Sequence, residues 1–208
     1  MEKEKQVQIM TQQIADFVSY MARVLPDDVE AKIKELAADE KNPLAKTLYE
    51  TMKTNMQLAA ELKRPSCQDT GVLQYWVKCG SNYPLIGELE EILREATFKA
   101  TQEAPLRHNC VETFDEYNTG KNIGTSVPYI MWDIVPGRDD VEIFPYMAGG
   151  GCSLPGSGKT LMPGEGYEGV AKFVLDLMTS YGLNACPPLL VGVGVATSIA
   201  TAALFSKK

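Results

Sequence analysis

The sequence predicts a mixed α/β (α+β) fold, with a helical N-terminal portion followed by a mixed sheet-and-helix body. Three observations carry this. Apolar residues recur at alternating steps of three and four from Val7 onward, the period of an amphipathic helix. Strand-like runs begin at Val72. Segments dense in Gly and Pro then break up the stretch from Gly149 to Gly169. A chain of 208 residues with 45% apolar content is large enough to bury a real core. We read residues 1–208 as one domain with a helical subregion over about 1–63.

The elements follow in order. Val7, Met10, Ile14, Phe17, Met21 and Val24 form one apolar stripe and predict a first helix packed along that stripe. Pro26 and the Asp27-Asp28 pair end it and start a second helix, to about Ala38. Asn42-Pro43 reads as an N-cap followed by a first-turn proline, opening a third helix with Leu48, Met52 and Leu58 that stops before Pro65. Val72 to Lys78 reads as a strand and Gly87 to about Glu103 as an amphipathic helix. Val127 to Ile134 and Val141 to Met147 read as strands joined by a Pro136-Gly137 turn. A helix from about Tyr167 to Tyr181 follows the glycine-rich region. Leu189 to Phe205 carries no charge, yet Gly192, Gly194, Thr197, Ser198 and Thr201 dilute it. It is expected to be a buried strand, Leu189 to Val195, and a small-residue helix, not a membrane anchor.

Composition narrows the function. Twenty Lys plus Arg stand against 27 Asp plus Glu, a formal charge of −7, which argues against nucleic acid as the main partner. Small anions need only one or two well-placed arginines. The opening MEKEKQVQ has no apolar core, so no secretory signal is read there and a cytoplasmic protein is expected. Five cysteines, at 67, 79, 110, 152 and 186, have no close pairs; in a reducing compartment each is buried filler or chemistry. His108 is the one histidine, which excludes a multi-histidine metal site on this chain.

Several segments bear chemistry-compatible patterns, each with a plain structural reading beside it. Gly156-Ser157-Gly158-Lys159-Thr160 looks like the end of a phosphate-binding loop. The full pattern needs a Gly where Ser153 stands, and Met162-Pro163-Gly164 resists the helix such a loop opens. Gly149-Gly150-Gly151-Cys152 either brings backbone N–H groups close to a ligand or makes a tight turn. Arg107 reads as a carboxylate clamp or a surface loop arginine. His108 is a proton donor or a structural hydrogen-bond partner, and Asp69 is a site carboxylate or a turn aspartate.

Taken together and in order, these segments carry a resemblance. Pro65-Ser66-Cys67-Gln68-Asp69-Thr70-Gly71 looks like the segment bearing the first cluster cysteine in the class I fumarases and L-tartrate dehydratases. Asn184-Ala185-Cys186-Pro187-Pro188 is similar to the second cluster-cysteine segment of that family, at the expected separation. Between them lie Ala104-Pro105-Leu106-Arg107-His108-Asn109, Asn118-Thr119-Gly120-Lys121-Asn122 and Gly149-Gly150-Gly151-Cys152, in the family's order. The likeness covers essentially the whole chain and is closest to the α subunit of the two-subunit enzymes, the tartrate dehydratases above all.

The resemblance implies an iron–sulfur hydro-lyase subunit that reversibly dehydrates a 2-hydroxy dicarboxylate: L-tartrate to oxaloacetate, or malate to fumarate. It implies a [4Fe–4S] cluster held by three cysteines, of which Cys67 and Cys186 match two. Gln68, Asp69, Arg107 and Gly150 match positions lining the substrate pocket, with Asp69 holding or exchanging a proton at the substrate hydroxyl. Cys79, Cys110 and Cys152 match no cluster position and are read as filler. In the family a third cluster cysteine lies well downstream of Cys186, so the third ligand is expected from outside this chain. Partners implied are a small dicarboxylate and a β subunit bearing the catalytic base, in an oligomer without nucleic acid or membrane. The alternative reading is a truncated or non-catalytic assembly piece of such an enzyme.

Overall fold

The computed structural model describes residues 2–112 and 114–208 and is mixed α/β. Two compact units are present, one ending at Met147 and the other running Ala148–Lys208.

In the first unit three helices lead: α1 (Glu2–Met21), α2 (Asp27–Asp39) and α3 (Pro43–Leu62). Asn42 caps α3 as expected, its side chain accepting the Leu44 N–H at 2.9 Å ahead of Pro43. Lys63 closes α3 in the left-handed conformation, at φ 52. Strand β1 (Val72–Gly80) then runs into α4 (Leu89–Glu103), a two-residue ribbon of β2 (Val111–Glu112) and β3 (Tyr117–Asn118), and strands β4 (Tyr129–Val135) and β5 (Val141–Ala148). The ribbon pairs Val111 with Asn118 and Glu112 with Tyr117, and has no counterpart among the strands expected from sequence.

The sheet order is β4-β1-β5, with β1 and β4 parallel from Gln74 opposite Tyr129 to Gly80 opposite Val135. The central β1 alternates cleanly. Leu73, Tyr75, Val77 and Cys79 are buried on one face, while the residues between them are half-buried. That buried face meets α1 and α4 in one core with Ala15, Val18, Leu89, Leu93, Ala96 and Ala100. At the turn after β4, Gly80 lies so close to the Arg138 carbonyl that any Cβ there would collide with it. Arg138 in turn pairs with Asp140 and Glu142.

The face of α1 differs from the expected stripe. Its buried residues are Thr11, Ala15 and Val18, while Met10 and Ile14 only flank the core and Phe17 is 50% exposed. The reason is steric. The core takes small residues from both helices, Ala15 of α1 with Ala96 and Ala100 of α4, beside Val18, and leaves the larger Met10 and Ile14 at its margin.

The second unit holds a single-turn α5 (Gly150–Ser153), α6 (Gly166–Ser180) and α7 (Ile199–Phe205). The expected buried strand at Leu189 to Val195 is not formed: the segment joins no sheet, and Leu190 is 89% exposed. Its glycines explain its course. A Cβ at Gly192 would strike the Ser206 carbonyl and one at Gly194 the Ala202 carbonyl, so this backbone lies against the end of α7 and not beside a strand edge. Among the described residues no helix is long and apolar enough to cross a membrane.

Candidate functional site

Three sequence segments that are far apart in the chain meet in the first unit. The loop from Lys63 to Gly71 starts under firm anchorage. The Ser66 N–H and hydroxyl both donate to the Ala22 carbonyl, at 2.9 and 3.3 Å, and Asn55 Nδ2 donates to the Ser66 carbonyl at 2.6 Å. Beyond that anchor Cys67 and Gln68 are exposed, Asp69 is half-buried, and Thr70 and Gly71 are buried. Gly71 takes φ 86, a left-handed value natural to glycine, just before β1 begins.

The second segment leaves the end of α4. The Leu106 N–H donates to the Thr101 carbonyl at 3.0 Å, burying Leu106 and presenting Arg107 and His108 outward. It is tied to the first loop twice: the Arg107 N–H donates to Thr70 Oγ1 at 2.9 Å, and Asn109 Nδ2 donates to Asp69 Oδ1 at 2.8 Å. Asp69 is therefore a partnered carboxylate on a rigid loop, and Arg107 a solvent-facing guanidinium whose backbone is held.

The third segment is Asn118 to Asn122. Asn118 Nδ2 donates to the His108 carbonyl at 2.6 Å, and its Oδ1 accepts the Gly120 N–H at 2.8 Å. Asn122 is only 4% exposed, with φ 55. It accepts from the N–H groups of Asn109 (2.9 Å) and Cys110 (3.3 Å) and donates to Thr101 Oγ1 (3.1 Å) and the Arg107 carbonyl (2.9 Å). Arg94 steadies the turn after Asn122, bonding the carbonyls of Gly124 and Val127 at 3.2 Å each. Glu112 binds the same turn. The Thr125 N–H donates to its Oε2 at 3.0 Å, and hydrogen bonding to Thr125 holds its carboxyl below the usual range.

The structure thus brings Cys67, Gln68, Asp69 and Arg107 into one loop cluster. Asn122 and Thr70 belong to it as well, although neither stands out in the sequence as a site residue. Their segments are visible as motifs, but only the tertiary hydrogen bonds separate them from ordinary loop residues.

Gly150 and Cys186 lie in the second unit. Gly150 opens α5 and is exposed, and an added Cβ there would meet nothing within 4 Å. The triple glycine thus leads into a helical turn, with the Ser153 N–H on the Gly149 carbonyl at 3.0 Å. Cys186 is exposed just after the 3-10 turn Gly182–Asn184. The phosphate-loop likeness fades here, because Thr160 is followed by irregular chain and a 3-10 turn before α6, and Lys159 sits 3.8 Å from Glu165.

The five thiols divide by environment. Cys79 and Cys110 are buried, and burial pushes both thiols up, disfavouring the thiolate a metal requires. Cys67 and Cys186 are exposed free thiols on loops, the chemistry suited to thiolate ligation. Cys152 is exposed as well, so its reading as buried filler is corrected: one turn of helix at the start of the second unit offers it no core. Among the described residues, no group of three or more His, Cys, Asp or Glu is placed to hold a metal ion. Cys67 lies in the first unit and Cys186 in the second, and each is by itself an accessible thiol.

Comparison with known proteins places this geometry. The family model of fumarate hydratase (fumerase) matches residues 11–208. The chain belongs to the fumarate hydratase family. Among its relatives is the L(+)-tartrate dehydratase subunit alpha of Escherichia coli K12, 54% identical over 206 residues, which are 99% of this chain and 68% of the relative. The Shigella sonnei subunit of the same name matches equally. A Methanocaldococcus jannaschii protein, provisionally given that name, is 33% identical over 187 residues, 88% of this chain and 66% of its own. Fumarate hydratases are hydro-lyases, so the reaction class is the addition or removal of water.

Proposed function

We propose that this chain is the α subunit of an iron–sulfur hydro-lyase that dehydrates L-tartrate to oxaloacetate. One observation supports it above the others: the segments around Cys67, Arg107 and Asn122 interlock into one cluster, in a chain 54% identical to a tartrate dehydratase α subunit. Both units are read as parts of one catalytic domain, working in the cytoplasm in an oligomer with a β subunit.

Cys67 and Cys186 would hold a [4Fe–4S] cluster, with the third ligand supplied from outside the residues that match here. When bound, the cluster supplies an open iron that acts as a Lewis acid toward the substrate's hydroxyl and carboxylate oxygens. The protein groups do the rest. The Arg107 guanidinium, a planar fork of donors, binds a substrate carboxylate in bidentate fashion. Gln68 and the backbone at Gly150 orient the bound acid. Asp69, whose Oδ1 accepts from Asn109 Nδ2, would hold or exchange a proton at the substrate hydroxyl. Loss of a proton from one carbon and of hydroxide from its neighbour then yields water and the enol of oxaloacetate. The base for the carbon-bound proton is assigned to the β subunit.

The test is anaerobic reconstitution of the chain with iron and sulfide, alone and with its β subunit, followed by turnover of L-tartrate, L-malate and fumarate. Tartrate turnover that requires both subunits is expected. Preference for malate and fumarate would move the substrate assignment within the family. A fully loaded pair inactive on all three would favour the assembly role.

A further inference from the structure

We infer that Asn122 is a positioning residue for substrate binding, its one buried amide, together with the Thr70 hydroxyl, setting where Arg107 and Asp69 stand. The inference rests on reading those two residues as facing the substrate, and it goes beyond that reading by naming what aims them.

The side chain of Asn122 has two N–H donors and an oxygen that accepts two bonds, and all four capacities are used. The anchor is Thr101, in the last turn of α4, whose own hydroxyl donates to the Thr97 carbonyl at 2.8 Å in the core. From that anchor the amide reaches Arg107 and Asn109 together. The Arg107 carbonyl is held by Asn122 and its N–H by Thr70, so both backbone groups of an exposed arginine are fixed. Asn109 donates its N–H to Asn122 Oδ1 and, through its side-chain Nδ2, carries the constraint on to Asp69 Oδ1. One amide therefore underlies both a proposed carboxylate clamp and a proposed proton-handling carboxylate. The backbone requirement selects the residue too, because φ 55 is strained for most side chains and tolerable for asparagine. A bidentate clamp is sensitive to such support, since a displacement near 1 Å costs on the order of a hundredfold in rate.

The test uses the reconstituted two-subunit enzyme and succinate, which carries both carboxylates and lacks the reacting hydroxyl. Calorimetry gives its Kd, and KM and kcat for L-tartrate are measured alongside. Asn122→Gly keeps the left-handed backbone and deletes the amide. Thr70→Val deletes the acceptor for the Arg107 N–H, and Thr70→Ser restores it. Asn122→Gly and Thr70→Val are expected to weaken succinate on the order of tenfold and raise KM more than they lower kcat. Thr70→Ser is expected to recover the binding that Thr70→Val loses. In an Arg107→Ala background neither change should weaken succinate further, a non-additivity that a general loss of fold would not produce. If Asn122→Gly does not fold, the Thr70 pair decides by the same cycle. Folded variants with unchanged Kd, or losses that add to that of Arg107→Ala, would overturn the inference. An Arg107→Ala enzyme that binds succinate normally would instead overturn the reading of Arg107, and the inference with it.

Discussion

Tyr75 on β1 and Thr97 on α4 join the two elements that carry the site's loops, and their bond yields an asymmetric prediction. Both side chains are fully buried, at 1% and 0% exposure, with 2.9 Å between their hydroxyl oxygens. Thr97 Oγ1 already donates its proton to the Leu93 carbonyl at 2.8 Å, so the Tyr75 phenol must be the donor in the pair. Tyr75→Phe removes a donor and strands nothing, which costs about 1 kcal/mol, the net worth of one hydrogen bond. Thr97→Val leaves a buried phenolic O–H without an acceptor and should cost more, about 2–3 kcal/mol. The pH dependence adds a second arm. Burial pushes the Tyr75 phenol from its ordinary 10.0 up to about 12. Folding therefore favours the neutral phenol. That contribution is whole below pH 10 and is lost as pH rises toward 12, a total of about 3 kcal/mol for two pH units. Tyr75→Phe has no such loss. The wild-type advantage of about 1 kcal/mol at pH 7 should shrink above pH 10 and reverse before pH 12. Urea unfolding followed by near-ultraviolet circular dichroism at pH 7, 10 and 11 reads both arms. A Thr97→Val cost no larger than that of Tyr75→Phe, or a wild-type advantage unchanged by pH, would refute the reasoning.

Two further outcomes concern the scaffold. Asn42→Ala removes the cap of α3 and should lower stability by about 1 kcal/mol, measured by urea unfolding, with Asn42→Asp close to wild type. Gly80→Ala drives a methyl group into the Arg138 carbonyl at the β1 end and should cost about 1–3 kcal/mol or more, seen as a lowered Tm, whereas Gly87→Ala, with nothing within 4 Å, should be tolerated.

Much of the fold is legible in the sequence because its signals are local. Asn42-Pro43 announces a helix start by its own chemistry, and the period-two pattern of β1 marks a half-buried strand wherever it sits. The features that differ from expectation depend on partners. The buried face of α1 departs from its apolar stripe because Thr11, Ala15 and Val18 are the residues it buries, and a threonine and an alanine add little to an apolar period. The segment Leu189 to Val195 has the composition of a buried strand, but two glycines let it lie on the backbone of α7. The site shows the same division. Cys67, Asp69 and Arg107 are recognisable within motifs that carry a family resemblance. Asn122 lies within such a motif too, but its role does not show there, because an asparagine with four tertiary hydrogen bonds looks in sequence like any loop asparagine.

The proposed cluster requires Cys67 and Cys186 and none of the other three cysteines. Five single Cys→Ser variants, reconstituted anaerobically beside the wild type with the β subunit present, test it through iron and sulfide content and the visible absorption of the cluster. Cys67→Ser and Cys186→Ser are expected to lose the cluster, while Cys79→Ser, Cys110→Ser and Cys152→Ser retain it. A Cys67→Ser or Cys186→Ser enzyme with a full cluster, or a cluster lost on replacing exposed Cys152, would contradict it.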